Sequence, residues 1–183
     1  MDSLGQVAEF AALTPTSSIF PEINARTSLI LADCIGAIVG GAAEPDVTEL
    51  ASRQAGNGTA LLIGTSQKRT PGTAALLNGT AGTTLEMDEG NQFCKGHPGM
   101  HTVPAALAAA SQLQISGADL LAAIAIGYDV GARVGISTQL RPSMHPHGTW
   151  GAICAATAVA RLQRASPDQL SLIHNGRCRR RVW

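Results

Sequence analysis

Residues 118–134 read ADLLAAIAIGYDVGARV, an almost wholly apolar stretch that is long enough for about five helical turns. It carries the polar residues Tyr128, Asp129 and Arg133 near its end. Two alanine-rich stretches of similar character flank it, over residues 103–113 and 148–162. A helix that is hydrophobic on most faces is buried against other helices. The three stretches therefore predict an all-α fold, a helical bundle.

The composition supports this fold class. Hydrophobic residues make up 45% of the 183 residues, but aromatic residues only 3%, so small apolar side chains must do the packing. Alanine favours closely approaching helices, whereas β-sandwiches need β-branched and aromatic residues. The length suits one domain with a core of its own.

The remaining chain predicts further helices and little β-structure. The stretch that begins at Pro21 has apolar residues nearly all the way round, which predicts a helix in the core. Asp46 is expected to be the N-cap of a later helix. The full set comprises helices over 4–13, 21–41, 46–54 and from 70 past 82, and one extended segment over 59–64.

The C-terminus breaks this pattern. Residues 166–169, SPDQ, are typical of a helix start, yet the sequence from 171 to 183, SLIHNGRCRRRVW, has no helical period. We therefore predict a helical domain over 1–170 and a basic tail over 171–183. The tail is either an ordinary disordered segment or the product of a truncation or frame shift.

Charge and cysteine content exclude several classes of protein. The formal charge is zero, but residues 171–183 carry four arginines and no acid, which leaves the rest of the chain with a net charge of −4. Nothing there indicates a nucleic-acid partner. The four cysteines form no CxxC pair, which fits a reducing cytoplasm. No secretory signal is visible, and no apolar run reaches the roughly 18 residues that span a bilayer, so no membrane partner is expected.

Polar chemistry is concentrated in two segments, each with two histidines. Residues 78–101 read NGTAGTTLEMDEGNQFCKGHPGMH, and residues 141–151 read RPSMHPHGTWG. A carboxylate near two imidazoles suits general acid–base catalysis, for example removal of a proton from a carbon next to a carboxylate. The candidate catalytic residues are His97, His145, Glu86 and Asp88; the candidate substrate-binding residues are Lys95, His101, Arg141 and His147.

Each candidate also has a structural interpretation. The acidic residues could form a solvated helix end, His97 could belong to a turn, and His101 could cap the next helix. A metal-dependent hydrolase is a further alternative, because Glu86 and the four histidines could supply three or four ligands. Their spacing matches no standard zinc motif, so no metal is predicted. A non-catalytic, truncated helical module that self-associates is the alternative from another class.

Three blocks of the sequence resemble the MmgE/PrpD family, which includes 2-methylcitrate dehydratase, cis-aconitate decarboxylase and iminodisuccinate epimerase. They are AALLNGTAGTTLEMDEGNQFCKGHPGMHTVPAALAAA at 74–110, SGADLLAAIAIGYDVGARVG at 116–135 and MHPHGTWGAICAATAVARL at 144–162. The similarity runs from about Arg26 to Asp168.

The resemblance implies a two-domain, homodimeric enzyme, with a large helical domain and a smaller α/β lid. Such enzymes act without a metal or organic cofactor on small di- or tricarboxylic acids. The aspartate and two histidines of the decarboxylase branch match Glu86, His97 and His145. The motif reads Glu-Met-Asp-Glu instead of Asp-Phe-Asp-Asp, and its spacing to His-Pro is one residue longer, which leaves Asp88 as a rival to Glu86.

Family members are more than twice as long as this chain, and the resemblance places the lid, and the lysine and tyrosine that complete the site, beyond its end. We therefore expect the N-terminal part of a cofactor-independent lyase or isomerase, with little or no activity as a separate polypeptide.

Overall fold

The computed structural model describes residues 3–54, 56–145 and 147–175, which contain eight α-helices and one small sheet. The helices are α1 Ser3–Leu13, α2 Pro21–Gly41, α3 Pro45–Arg53, α4 Pro71–Thr84, α5 Pro98–Ala110, α6 Gly117–Ser137, α7 Gly151–Leu162 and α8 Pro167–Asn175. Strands β1 (Ala60–Leu61) and β2 (Lys68–Arg69) pair antiparallel, and Thr16–Ser18 forms a 3-10 turn. The predicted all-α class is confirmed.

Local signals account for most helix starts. Proline opens five of the helices, where its missing N–H leaves no helical hydrogen bond unmade. The Thr70 hydroxyl accepts a hydrogen bond from Thr73 N at the start of α4. The prediction for Asp46 was wrong by two residues, since Glu44 is the N-cap of α3 and Asp46 lies in its first turn.

The predicted extended segment over 59–64 is reduced to a short hairpin. Only Ala60 and Leu61 pair with the second strand. The buried Asn78 of α4 fixes the turn that follows strand β1. Its side chain accepts a hydrogen bond from Ile63 N and donates one to Leu61 O, both at 3.0 Å. The hairpin is thus attached to the bundle through one amide.

Small residues set the close approach of α6 and α7. A Cβ atom on Gly131 would lie 1.9 Å from Cys154 Sγ, and one on Gly127 would lie 2.8 Å from the Cys154 carbonyl oxygen. Buried residues from helices α2 to α7 form the main core, among them Ile38, Val103 and Ile124. Packing through alanine and glycine is what the aromatic-poor composition predicts.

The prediction that α2 is a core helix holds for one of its sides only. It buries one side through Thr27, Cys34, Ile38 and Gly41, but Leu29 is 62% exposed. An apolar pattern shows which side chains could be buried, whereas burial itself requires a partner element on that side. The outer side of α2 therefore presents apolar side chains to solvent.

The C-terminal helix also departs from the prediction. Helix α8 continues to Asn175, and Leu170 is fully buried against Ala8 and Ala11 of α1 and Val130 of α6. The expectation of no helix after residue 170 was therefore wrong. Most of the predicted tail, residues 176–183, lies outside the described residues, and the domain division at residue 170 stays a prediction.

Two described helices, α2 and α6, are long and apolar enough to cross a bilayer when judged by length and composition only. Half of the most apolar window of α6 is buried within the bundle, and the core helix of a soluble protein passes the same test. Helix α2 lies near the N-terminus, and a signal sequence at that place passes it too. Such helices are weak evidence for a membrane, and the expectation of no membrane partner stays a prediction.

Candidate active site

The two histidine-bearing segments lie where a loop enters a helix, and these two places meet. Helix α5 begins at Pro98, directly after His97, and α7 begins at Gly151. His101 lies in the first turns of α5, and a Cβ atom on Gly151 would come within 2.3 Å of its Nε2. The helices can meet at this distance because residue 151 has no side chain.

His147 is the centre of a cluster of four histidines. Its ring stacks on His97 at a centroid distance of 4.9 Å and on His145 at 4.7 Å. Its Nδ1 is 2.9 Å from His101 Nε2, so one of these nitrogens donates and the other accepts. The structure therefore brings together all four histidines that the sequence singled out.

Asp88 is the carboxylate that the structure places beside these rings. Its side chain is 2% exposed, and Oδ2 lies 3.1 Å from His97 Nδ1. That nitrogen is also 2.9 Å from the Glu89 carbonyl oxygen, to which its hydrogen can be donated. With the ring N–H used in this way, Asp88 Oδ2 has no hydrogen-bond partner among the described residues.

Glu89 and Tyr128 fix the loop that carries Asp88 and His97. Glu89 Oε1 accepts a 2.6 Å hydrogen bond from the Tyr128 hydroxyl, and Oε2 accepts from Gly99 N in the first turn of α5. Burial raises the pKa of Glu89, and burial together with Glu89 raises the pKa of Tyr128. Sequence reasoning missed this pair; the only signal was that Tyr128 is the sole tyrosine of the chain.

A β-bridge closes the loop between the acidic residues and His97. Asn91 N donates to Gly96 O at 2.8 Å, and Gly96 N donates back to Asn91 O at 3.3 Å. Asn91 Nδ2 also donates to the Tyr128 hydroxyl. Asp88 and His97 are thus fixed at the two ends of a tight loop.

The histidines oppose one another's protonation. Burial, followed by the positive charge that His147, His97 and His145 carry when protonated, lowers the pKa of His101 to about 4. Burial and the same kind of repulsion lower the pKa of His147, while Asp88 and Glu86 act against this. His101 is therefore neutral near pH 7, and a bound anion would favour protonation of the cluster.

Three predicted residues are not part of this cluster and lie on the exposed surface of its loops. Glu86, Lys95 and Arg141 are exposed, and Glu86 and Lys95 have positive φ angles. Neither Lys95 nor Arg141 forms an ion pair with a described residue. Both stand on the loops that carry His97 and His145, so their charges are available to a ligand.

A cleft of about 360 Å³ adjoins the cluster, and it is lined by residues that include Gly79, Thr83, Met100, His101 and His147. A larger cleft of about 580 Å³ lies elsewhere, beside Asp119 and Arg161, and no histidine lines it. The chemistry is therefore associated with the smaller cleft.

The sequence model of the MmgE/PrpD N-terminal domain matches residues 5–172. The chain is 30% identical over 118 residues to the cis-aconitate decarboxylase-like protein oryM of Aspergillus oryzae. This alignment covers 58% of this chain and 24% of that protein. It is also 30% identical over 122 residues to cis-aconitate decarboxylase of Aspergillus terreus, covering 62% of this chain and 25% of the relative.

The matched part thus spans about a quarter of the length of either relative. The family and these relatives point to enzymes of the lyase type. The resemblance found in the three sequence blocks is confirmed by a match that covers nearly all of the described residues. The chain therefore belongs to the MmgE/PrpD family, through that family's N-terminal domain.

Proposed function

We propose that this chain supplies the histidine-bearing part of the active site of a cofactor-independent lyase or isomerase. Its substrate is a small di- or tricarboxylic acid, which loses or gains a proton next to a carboxylate. One observation carries the proposal: His97 and His145, which belong to separate loops, both stack on His147. Two imidazoles at one site can serve as the acid and the base of a single reaction.

His97 suits the role of base. Its Nδ1–H is donated to the Glu89 carbonyl oxygen at 2.9 Å, so the neutral ring has an unprotonated Nε2. Asp88, 3.1 Å from the ring, is placed to stabilise the positive charge that develops when His97 accepts a proton. On this geometry Asp88 takes the orienting role that the sequence left open between Asp88 and Glu86.

His145 suits the role of acid. Its Nδ1 accepts a 3.2 Å hydrogen bond from the His147 backbone N–H, so the neutral ring carries its hydrogen on Nε2. In a dehydration His97 would take the proton from carbon while His145 protonates the departing hydroxide. In a decarboxylation an acid protonates the carbon from which carbon dioxide leaves, and in an epimerisation the removed proton is returned to the opposite face.

Several groups are suited to bind the substrate carboxylates. The first turns of α5 and α7 meet at His101 and Gly151, and the N-terminal end of a helix attracts anions. The exposed cations Lys95 and Arg141 stand on the adjoining loops. Because the histidines repel one another's protons, a polyanionic substrate would also stabilise the protonated imidazoles.

The experiment uses cis-aconitate, the acid in the relatives' names, and the chain labelled at its histidine rings. NMR should show saturable shifts of the His97, His145 and His147 ring signals, with acetate at equal ionic strength as the control. Hydrogen exchange at the ligand's carbon atoms is followed in D2O in parallel. The proposal fails if millimolar cis-aconitate shifts these rings no more than acetate does, or if His97→Ala and His145→Ala leave the binding unchanged.

A second candidate, a non-catalytic module that self-associates, is supported by the outer side of α2. Leu29 and Val39, which point away from the buried side, are each about half exposed or more. Solvent-exposed apolar surface of this kind is typical of an interaction site. Homodimerisation and a cytoplasmic location remain predictions.

A further inference from the structure

Three metal-binding side chains converge beside the cleft. A carboxylate oxygen of Asp88 and one ring nitrogen each of His97 and His147 all lie within 4.8 Å of one another. The set differs from the one considered from the sequence, because it uses Asp88 instead of Glu86 and needs neither His101 nor His145. Two imidazoles and one carboxylate are a donor set that borderline transition cations prefer, whereas Mg²⁺ and Ca²⁺ prefer oxygen ligands alone.

Asp88 supplies an independent observation. Its Oδ2 is buried, faces His97 at 3.1 Å and has no hydrogen-bond partner among the described residues. A buried carboxylate oxygen without a donor is destabilising unless a cation or a proton reaches it. A cation between Asp88 and the two rings would satisfy this oxygen.

The two histidines are already held by outer partners. His147 Nδ1 pairs with His101 Nε2 at 2.9 Å, and His97 Nδ1 pairs with the Glu89 carbonyl oxygen at the same distance. Histidines that bind metals usually have their second ring nitrogen fixed in this way by a neighbouring group. The side chain of Glu89 is itself fixed by Tyr128 and Gly99.

We propose that Asp88, His97 and His147 bind one divalent transition cation of the Zn²⁺ class, leaving an open coordination position toward the cleft. The inference goes beyond the proposed function, in which these residues work without a metal. A bound cation would use the histidine lone pairs that proton transfer needs, so it would act as an inhibitor. Ligand atoms of a tetrahedral zinc site are about 3.4 Å apart, so the two loops must move together slightly on binding. The Asp88 carboxylate must also turn from His97 Nδ1, which is held by Glu89, toward Nε2 of the same ring.

The test titrates the untagged chain with ZnCl2 by calorimetry and with CoCl2 by visible absorption. A background variant, His174→Asn with Cys178→Ser, removes the histidine and cysteine of the C-terminal sequence that could bind zinc independently. We expect one equivalent of Co²⁺, with absorption bands of a four- or five-coordinate ion that Zn²⁺ displaces. Excess MgCl2 should not compete.

Two variants and a matched control locate the site. Asp88→Asn and His147→Gln should each weaken Zn²⁺ binding by about 10-fold or more, the least expected when a ligand is lost. Glu86→Gln removes the same charge from an exposed carboxylate two residues away, which acts on His147 only through its charge, so it should weaken Zn²⁺ binding much less than either ligand variant does. Circular dichroism identifies the variants that are folded, and the apparent affinity is read only from those.

The inference is overturned if the background variant binds no Zn²⁺ at millimolar concentration, or if either folded ligand variant binds as tightly as the background protein. Because the readout is metal binding and not turnover, a failure here leaves the proposed acid–base function standing. A failure to bind cis-aconitate would likewise leave the metal site standing.

Discussion

The Tyr128 hydroxyl donates a 2.6 Å hydrogen bond to Glu89 Oε1 and so joins the middle of α6 to the loop that carries Asp88 and His97. Glu89 also accepts from Gly99 N through Oε2 and from His97 through its carbonyl oxygen. One residue thus fixes the loop, the start of α5 and the orientation of the His97 ring.

Replacing Tyr128 by phenylalanine should therefore destabilise the domain. The partly buried Glu89 carboxylate would lose a donor, which costs about 1–3 kcal/mol. Urea denaturation measures the change. Asp129→Asn, at the next residue, breaks an exposed ion pair with Arg133 and should cost less than about 1 kcal/mol. Equal losses in the two variants would contradict the role given to Tyr128.

Stability should fall in acid because of His101. Its pKa is about 4 in the folded protein and near its ordinary value of 6.5 when unfolded, so between these values the unfolded chain binds more protons. The free energy of unfolding should therefore decrease by about 2 kcal/mol as the pH falls from 6.5 to 4, after allowance for solvent screening.

His101→Phe, which keeps an aromatic ring and cannot titrate, should flatten this pH dependence. The two proteins must be compared because Glu89 has the opposite effect on the pH dependence of stability. The pKa of Glu89 is raised in the folded protein, so the folded protein binds this proton more readily than the unfolded chain does. The resulting stabilisation is lost as the pH rises. Unfolding free energies measured across this range check the prediction. Parallel curves for the two proteins would show that His101 does not cause the acid sensitivity.

The contact between α6 and α7 should tolerate no added methyl group. In Gly131→Ala the new Cβ would lie 1.9 Å from Cys154 Sγ, and overpacking of this kind costs about 1–3 kcal/mol. Gly36→Ala in α2 is the matched control, because a Cβ there meets no atom within 4 Å. It should stabilise its helix by up to about 1 kcal/mol. Melting temperatures that move in the same direction would contradict this packing.

Self-association through α2 should depend on its outer side. Leu29 is 62% exposed, so Leu29→Gln should leave stability nearly unchanged and reduce association measured by light scattering over a concentration series. Leu61→Gln, at an exposed leucine of the hairpin, is the control and should have no such effect. A chain that is monomeric at every concentration would remove the surface from consideration.

Most helix positions were predictable because their signals are local, but α5 begins at Pro98, five residues before the predicted start at 103, and so includes His101. Pro21 with Gly40 and Gly41 gave α2 its observed bounds, and Ser116 preceded α6 as its cap. Burial was less predictable, since the apolar pattern of α2 could not show that its outer side has no covering element among the described residues. Leu170 illustrates the reverse case: it is buried by α1, which lies at the other end of the sequence.

The candidate site shows the same contrast between local signals, which the sequence contains, and packing, which it does not. Two histidine-bearing loops could be expected to meet, because both precede helices of one bundle. The sequence could not decide between Glu86 and Asp88, since both lie within three positions of one loop and only its folding turns Asp88 toward His97. It gave no reason to connect Glu89 with Tyr128, whose contact depends on how α6 packs across the loop.

Helix α5 starts at the histidines and leads the chain away from them, and α6 brings it back to Tyr128. The turn between them, residues 111–116, therefore lies about 20 Å from the reactive groups, at the far end of a 13-residue helix. Gln114 is exposed there. A fluorophore or an affinity handle placed at this turn could report on, or immobilise, the protein without touching its chemistry.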